Sequence, residues 1–184
     1  MKLNEVIDTA LVYLNLNDEI KVTGADLTPL SNRKLRILLR CANIVYSEIA
    51  SDYMPLKAKE TLVAIDNKVA YQSFSRRVIE VVKVVKDGAN IPFSAYPNYL
   101  EVNAQGEVEI IYHYLPQEIS LDDEIEYGVG LSPTAFAAGI AAEYSLVNGM
   151  YDEAVAFDRK YREALIGGMS RSKSGYIKGR RWLN

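Results

Sequence analysis

The residues best suited to act on another molecule are the last ones. Between Ala164 and Asn184 the chain has no acidic residue but carries Arg171, Lys173, Lys178, Arg180 and Arg181, interleaved with Tyr176, Ile177, Trp182 and Leu183. Trp182 is the only tryptophan. Arginine beside large aromatic rings is anchoring chemistry: a ring fills a partner's pocket while a guanidinium pairs with carboxylates around it. The same residue types suit single-stranded nucleic acid, through base stacking and phosphate attraction. Either way the chemistry is recognition, with no bond made or broken.

The chain has 21 basic and 24 acidic residues. With the five terminal cations set aside, 16 basic residues face 24 acidic ones, so a body near −8 carries an arm near +5. An acidic body disfavours wrapping DNA around its outside, because phosphate binding rests on clustered Lys and Arg. One further cationic cluster, Arg76, Arg77, Lys83 and Lys86, stands inside the chain. It reads first as charge that blunts a strand edge against unwanted pairing, and second as a lining that meets passing DNA.

Catalytic chemistry has little to work with. His113 is the only histidine, which rules out a histidine triad, a multi-histidine zinc site and an HExxH motif. On a strand it falls on the less hydrophobic face with Glu109 and Ile111, a structural position. Cys41 is the only cysteine, so no intrachain disulfide can form, and its place in an apolar helical pattern marks a buried, inert thiol. Nucleophile motifs, a phosphate-binding loop and a dinucleotide fingerprint are missing; Gly128-Val129-Gly130 has neither the spacing nor a strand before it. Asp122, Asp123, Glu124 and Glu126 form the densest acidic cluster. Without EF-hand spacing it reads as a solvated turn or a contact for a basic neighbour, with a hard cation as the lesser reading. No metal or cofactor is implied, and the chain is expected not to be an enzyme.

Several elements must position these residues. Leu3, Val6, Ile7, Ala10, Leu11 and Leu14 give a short amphipathic helix over 2–16. A second helix is expected to start at Thr28-Pro29, with Leu35, Leu38, Leu39, Ala42, Val45, Tyr46 and Ile49 on one face and Ile37, Cys41 and Ile44 beside it, making it the most buried helix. From Glu60 to about Tyr114 the chain is rich in Val, Ile and Tyr, and turn residues such as Asp66-Asn67 and Asp87-Gly88 punctuate it. That pattern predicts four or more short antiparallel strands. Val108, Ile110, Tyr112 and Tyr114 alternate cleanly, whereas Val78–Val85 is nearly all apolar and reads as a strand covered on both sides. From Ser132-Pro133 a third helix follows, with Phe136, Ile140, Tyr144 and Val147 on one face and small residues offering close approach. Asn148-Gly149 stops it. The last helix carries Ala154, Phe157, Tyr161 and Leu165 and is expected to end at Gly167-Gly168.

Hydrophobic content of 49% and charged content of 24% suit an ordinary globular protein, and neither a signal peptide nor a membrane span is expected at the N-terminus. The fold class that follows is α+β: a helical bundle formed by the N-terminal and C-terminal helix pairs (1–58 and 117–168), an inserted antiparallel β lobe (59–116) and an extended basic C-terminal arm (169–184).

This order of elements, with Leu131-Ser132-Pro133, the helix closing on Ala141-Ala142-Glu143-Tyr144, the stop at Gly149 and the helix from Tyr151-Asp152-Glu153-Ala154 to Tyr161-Arg162-Glu163-Ala164-Leu165, resembles tailed-bacteriophage head-to-tail connector proteins. The nearest type is the adaptor or tail tubular A group of short-tailed phages. The resemblance implies a noncatalytic structural protein of the virion neck, made in the host cytoplasm. Such proteins form rings, commonly of twelve subunits, that dock under the portal protein after packaging. They extend the channel for passing double-stranded DNA and offer a platform to other neck or tail proteins. It also implies that the C-terminal segment embraces the portal, a part that falls here to Lys178–Leu183. The alternative from another class is a nucleic-acid-binding accessory protein that uses the same arm.

Overall fold

The computed structural model describes residues 1–20, 32–127 and 130–169 of the chain. It is a mixed α+β protein whose described residues form four α-helices and two antiparallel sheets. The chain divides into two compact units, one from Met1–Glu48 together with the segment from Gln117 onward, the other Ile49–Pro116.

The first unit holds α1 (Leu3–Tyr13), α2 (Arg33–Glu48), α3 (Pro133–Val147) and α4 (Tyr151–Met169). In α1 the apolar stripe Leu3, Val6, Ile7, Ala10 and Leu11 is buried, and the Lys2 N–H donates to the Glu5 carboxylate at 3.3 Å. The helix stops at Tyr13, short of 16, where Asn15 takes a left-handed φ of 53°. The expected start of α2 at Thr28-Pro29 lies outside the described residues. Its described part opens at Asn32, whose side-chain oxygen accepts from Lys34 N at 3.0 Å and Leu35 N at 3.3 Å and so satisfies first-turn donors.

The most buried helix is α3, not α2. Every residue from Ala135 to Ala142 is buried, as are Tyr144 and Ser145, because α3 is packed by α1, α2 and α4 while Ile44 on α2 faces solvent. Small side chains make this possible. A Cβ on Gly139 would stand 2.8 Å from Val45 Cγ1 and 3.1 Å from the Tyr161 ring, so α2 and α4 both press on α3 at that point. Ser132 and Pro133 stand where expected, at the N-cap and first turn, but the Ser132 hydroxyl pairs with that of Thr134 at 2.7 Å and caps no helix N–H. Val147 lies on the exposed side. Gly149, at φ 75°, ends the helix.

On α4 the buried stripe is Ala154, Tyr161 and Leu165, and Phe157 stacks on Tyr13 with centroids 5.9 Å apart. The helix does not end at Gly167-Gly168; it runs through both to Met169. Gly168 serves a close approach instead of a stop, since a Cβ there would lie 2.7 Å from the Gly130 carbonyl oxygen.

The second unit opens on one wide helical turn, Ile49–Tyr53, closed by Met54 N donating to Ile49 O at 2.7 Å. Its strands are β1 (Leu56–Ala64), β2 (Lys68–Ala70), β3 (Arg77–Lys86), β4 (Ala89–Ile91), β5 (Phe93–Ala95), β6 (Tyr99–Val102) and β7 (Gly106–Leu115). The sheet orders are β1-β7-β3-β4 and β2-β6-β5. The first strand starts at Leu56, four residues before the sequence pattern suggests. Asp66 and Asn67 both have positive φ, as do Asp87 and Gly88, so each pair forms the tight turn of a hairpin.

In β7, Val108, Ile110, Tyr112 and Tyr114 all face the core. Strand β3 departs from expectation. It is not covered on both sides: register shifts between Val78 and Glu80 and between Val81 and Lys83 make Ile79 and Val82 bulge residues, 40% and 42% exposed. Val78, Val81 and Val84 still oppose Tyr114, Tyr112 and Ile110. Two bulges turn a period of two into a period of three, and this is why alternation fails there.

Candidate functional site

All eight arm residues singled out from sequence, Arg171, Lys173, Tyr176, Lys178, Arg180, Arg181, Trp182 and Leu183, lie outside the described residues. The described chain leads up to them as helix α4.

The four cations singled out inside the chain, Arg76, Arg77, Lys83 and Lys86, are dispersed in the second unit. Arg76 stacks over the Tyr114 ring at 4.8 Å. Arg77 and Lys83 oppose Leu115 and Ile111 on the face of the sheet turned away from Tyr112. Lys86 follows on the other face, and its ammonium donates to the Gln105 carbonyl. Arg77 is exposed, while Lys83 and Lys86 are half-buried. His113 shares the Lys83 face, with Nδ1 3.4 Å from a Glu80 carboxylate oxygen.

Beside Arg76 lies a polar cluster that sequence reasoning missed. The Glu60 carboxylate, on the core face of β1, accepts from the Tyr112 hydroxyl, the Ser75 hydroxyl and the Ser75 N–H, the last at 3.1 Å. Burial works to raise the Glu60 pKa, but those donors and the charge of Arg76 outweigh it and leave the carboxyl below its ordinary value. Burial and the bond to Glu60 push the Tyr112 phenol up to about 12. The cluster ties the segment around Ser75 to β1 and β7. Its only sequence signal is a Glu at a core-facing strand position.

A groove of about 740 Å³ runs along the part of β3 that β4 leaves uncovered, since β4 pairs only with Val84–Lys86. Tyr71, Phe93 and Pro97 supply apolar wall, and Arg76, Arg77 and Glu80 supply charge.

In the first unit the acidic cluster sits on a segment laced to the N-terminus. Leu3 N donates to Asp123 O at 3.1 Å, Asn4 N to Leu121 O at 3.0 Å and Ile125 N to Met1 O at 3.0 Å. Asn43, in the middle of α2, holds Ile119 with both ends of its amide, at 2.8 Å and 3.0 Å. Ile125 and Tyr127 point inward, and Asp122, Asp123, Glu124 and Glu126 are exposed. Among the described residues no three His, Cys, Asp or Glu side chains stand together as metal ligands. Cys41 is buried, and burial pushes its thiol up to about 12. Also exposed are Val147, Tyr151 and Val155, at the corner where α3 passes into α4.

No described helix is long and apolar enough to cross a membrane. A comparison with family models finds no match, and a comparison with curated proteins finds none either.

Proposed function

We propose that this protein is a structural head-to-tail connector of a tailed bacteriophage. It forms a ring that docks on the portal through its C-terminal arm, extends the DNA channel and carries the tail. In this reading the two helix pairs form a bundle, Ile49–Pro116 is the inserted β lobe, and the protein resides in the virion neck.

The charge distribution carries the proposal. An acidic chain whose last cations are set among Tyr176, Trp182 and Leu183 is built to hold an acidic, pocketed partner. Two features support it. Helix α4 is anchored by Tyr161 and Leu165 in the core up to the start of the arm, which gives a rigid base to grip from. The polar clusters at Glu60 and at Asp158 with Arg162 have structural partners, and neither lines the groove's apolar wall as a nucleophile with its base would.

Electron microscopy of the protein mixed with its portal rings tests the proposal. A continuous ring seated on the portal is the expected image, and bare portals at saturating protein contradict it. A salt-dependent gel shift of single-stranded DNA by the chain alone is the result that favours the nucleic-acid-binding alternative.

A further inference from the structure

Two surfaces remain without a role: the groove along the uncovered half of β3 and the apolar corner between α3 and α4. We infer that they are the two halves of one head-to-tail contact, in which the α3–α4 corner of one copy seats in the β3 groove of the next. This contact rests on the ring reading and names the surfaces that close the ring.

The corner has the composition of an anchor. Tyr151 is 68% exposed, and Val147 and Val155 are 60% and 54% exposed on either side of it. An exposed aromatic residue with exposed valines four positions to either side is the residue type that dominates binding energy when a pocket takes it in. Its charged neighbours are Asp152 and Glu153, both exposed, and no cation lies between Val147 and Val155. The groove offers the complement. Tyr71, Phe93 and Pro97 form a wall with room for a phenol ring, and Arg76 and Arg77 stand at the uncovered start of β3. Glu80, the one acidic residue there, has a carboxylate oxygen 3.4 Å from His113 Nδ1. The bulges at Ile79 and Val82 spoil a straight ladder, so a helix corner suits the site better than an added strand. The chain's own basic arm is a poor occupant, since its cations meet Arg76 and Arg77. Because corner and groove are different surfaces on different units, the contact is heterologous, and repetition of it closes a ring when the rotation allows.

The test uses the full chain at millimolar concentration, where even a weak contact populates oligomers, read by analytical ultracentrifugation. Arg77→Glu and Tyr151→Ala change exposed side chains and leave each fold intact. Each is expected to weaken self-association by about tenfold or more. The swap Arg77→Glu with Asp152→Arg in one chain is expected to restore association. Wild-type oligomers that ignore Arg77→Glu and Tyr151→Ala overturn this contact and leave the ring reading standing. A wild-type chain that stays monomeric at this concentration also overturns the contact, and portal docking then stands or falls by the microscopy above.

Discussion

At the scale of single residues, Glu60 shows how a half-buried charge becomes a structural pin. Its carboxylate takes three donors, so its folded pKa lies below the ordinary 4.5 even though partial burial works to raise it. A lowered carboxyl pKa stabilises the fold above the unfolded value, and that contribution is lost as pH falls through the folded one. Glu60→Gln is therefore expected to cost about 1–2 kcal/mol at pH 7. The deficit should shrink below about pH 4, which urea unfolding at both pH values measures. Tyr112→Phe should cost a similar amount, about 1–2 kcal/mol, by leaving the carboxylate one donor short. The two losses should be non-additive in a double-mutant cycle. Tyr112 itself is raised to about 12, so its contribution is present below pH 10 and lost as pH climbs toward that value. Cys41, also raised to about 12, should stay silent to a thiol reagent at pH 8 in the folded protein and react fully in denaturant. Rapid labelling without denaturant contradicts its placement. That the thiol is buried was legible from its helical neighbours. That Glu60 is pinned was not, because its partners Ser75 and Tyr112 are brought to it only by the sheet.

At the scale of elements, packing decides where propensity is weak. Gly139→Ala should gain up to ~1 kcal/mol of helix propensity. It places a methyl 2.8 Å from Val45, a stiff β-branched side chain, and 3.1 Å from the Tyr161 ring. Overpacking of this kind costs about 1–3 kcal/mol, so the variant is expected to be less stable by roughly 1 kcal/mol, read as a lower Tm. An unchanged or higher Tm places α2 and α4 farther from α3 than described. The alternation in β7 and the stripes of α1 and α4 could be read directly, since each element buries one face and its pattern repeats with the backbone period. β3 could not, because a bulge is invisible in a run of Val and Ile; the same residues describe a strand buried on both faces. Gly167-Gly168 misled for a related reason. Glycine marks a helix stop as often as it allows close approach, and only the Gly130 carbonyl at α4 distinguishes the two. Asn43 and the strap it holds were hidden by a separation of 76 residues.

At the scale of the whole molecule, the sequence separates charge where the elements separate structure. The acidic excess lies in the first unit, whose described residues hold 15 acidic against 8 basic side chains, while the second unit is nearly balanced at 8 against 7; the cations that follow α4 have no acidic neighbour in the chain. In the proposed reading this division serves assembly: like-charged bodies repel unless an arm of opposite sign bridges them to a partner. The arm's composition, not any catalytic spacing, is what the proposed function was read from. Neither the exposed α3–α4 corner nor the β3 groove was legible, because exposure is a tertiary property that periodicity alone assigned wrongly at Val147.

Binding to immobilised portal rings, compared between the full chain and a chain ended after Gly168, tests the grip most directly. The full chain is expected to bind with an affinity that falls as salt rises, and the shortened chain, still folded by circular dichroism, to bind about a hundredfold more weakly. Equal capture of both chains contradicts the assignment of the arm as the portal anchor.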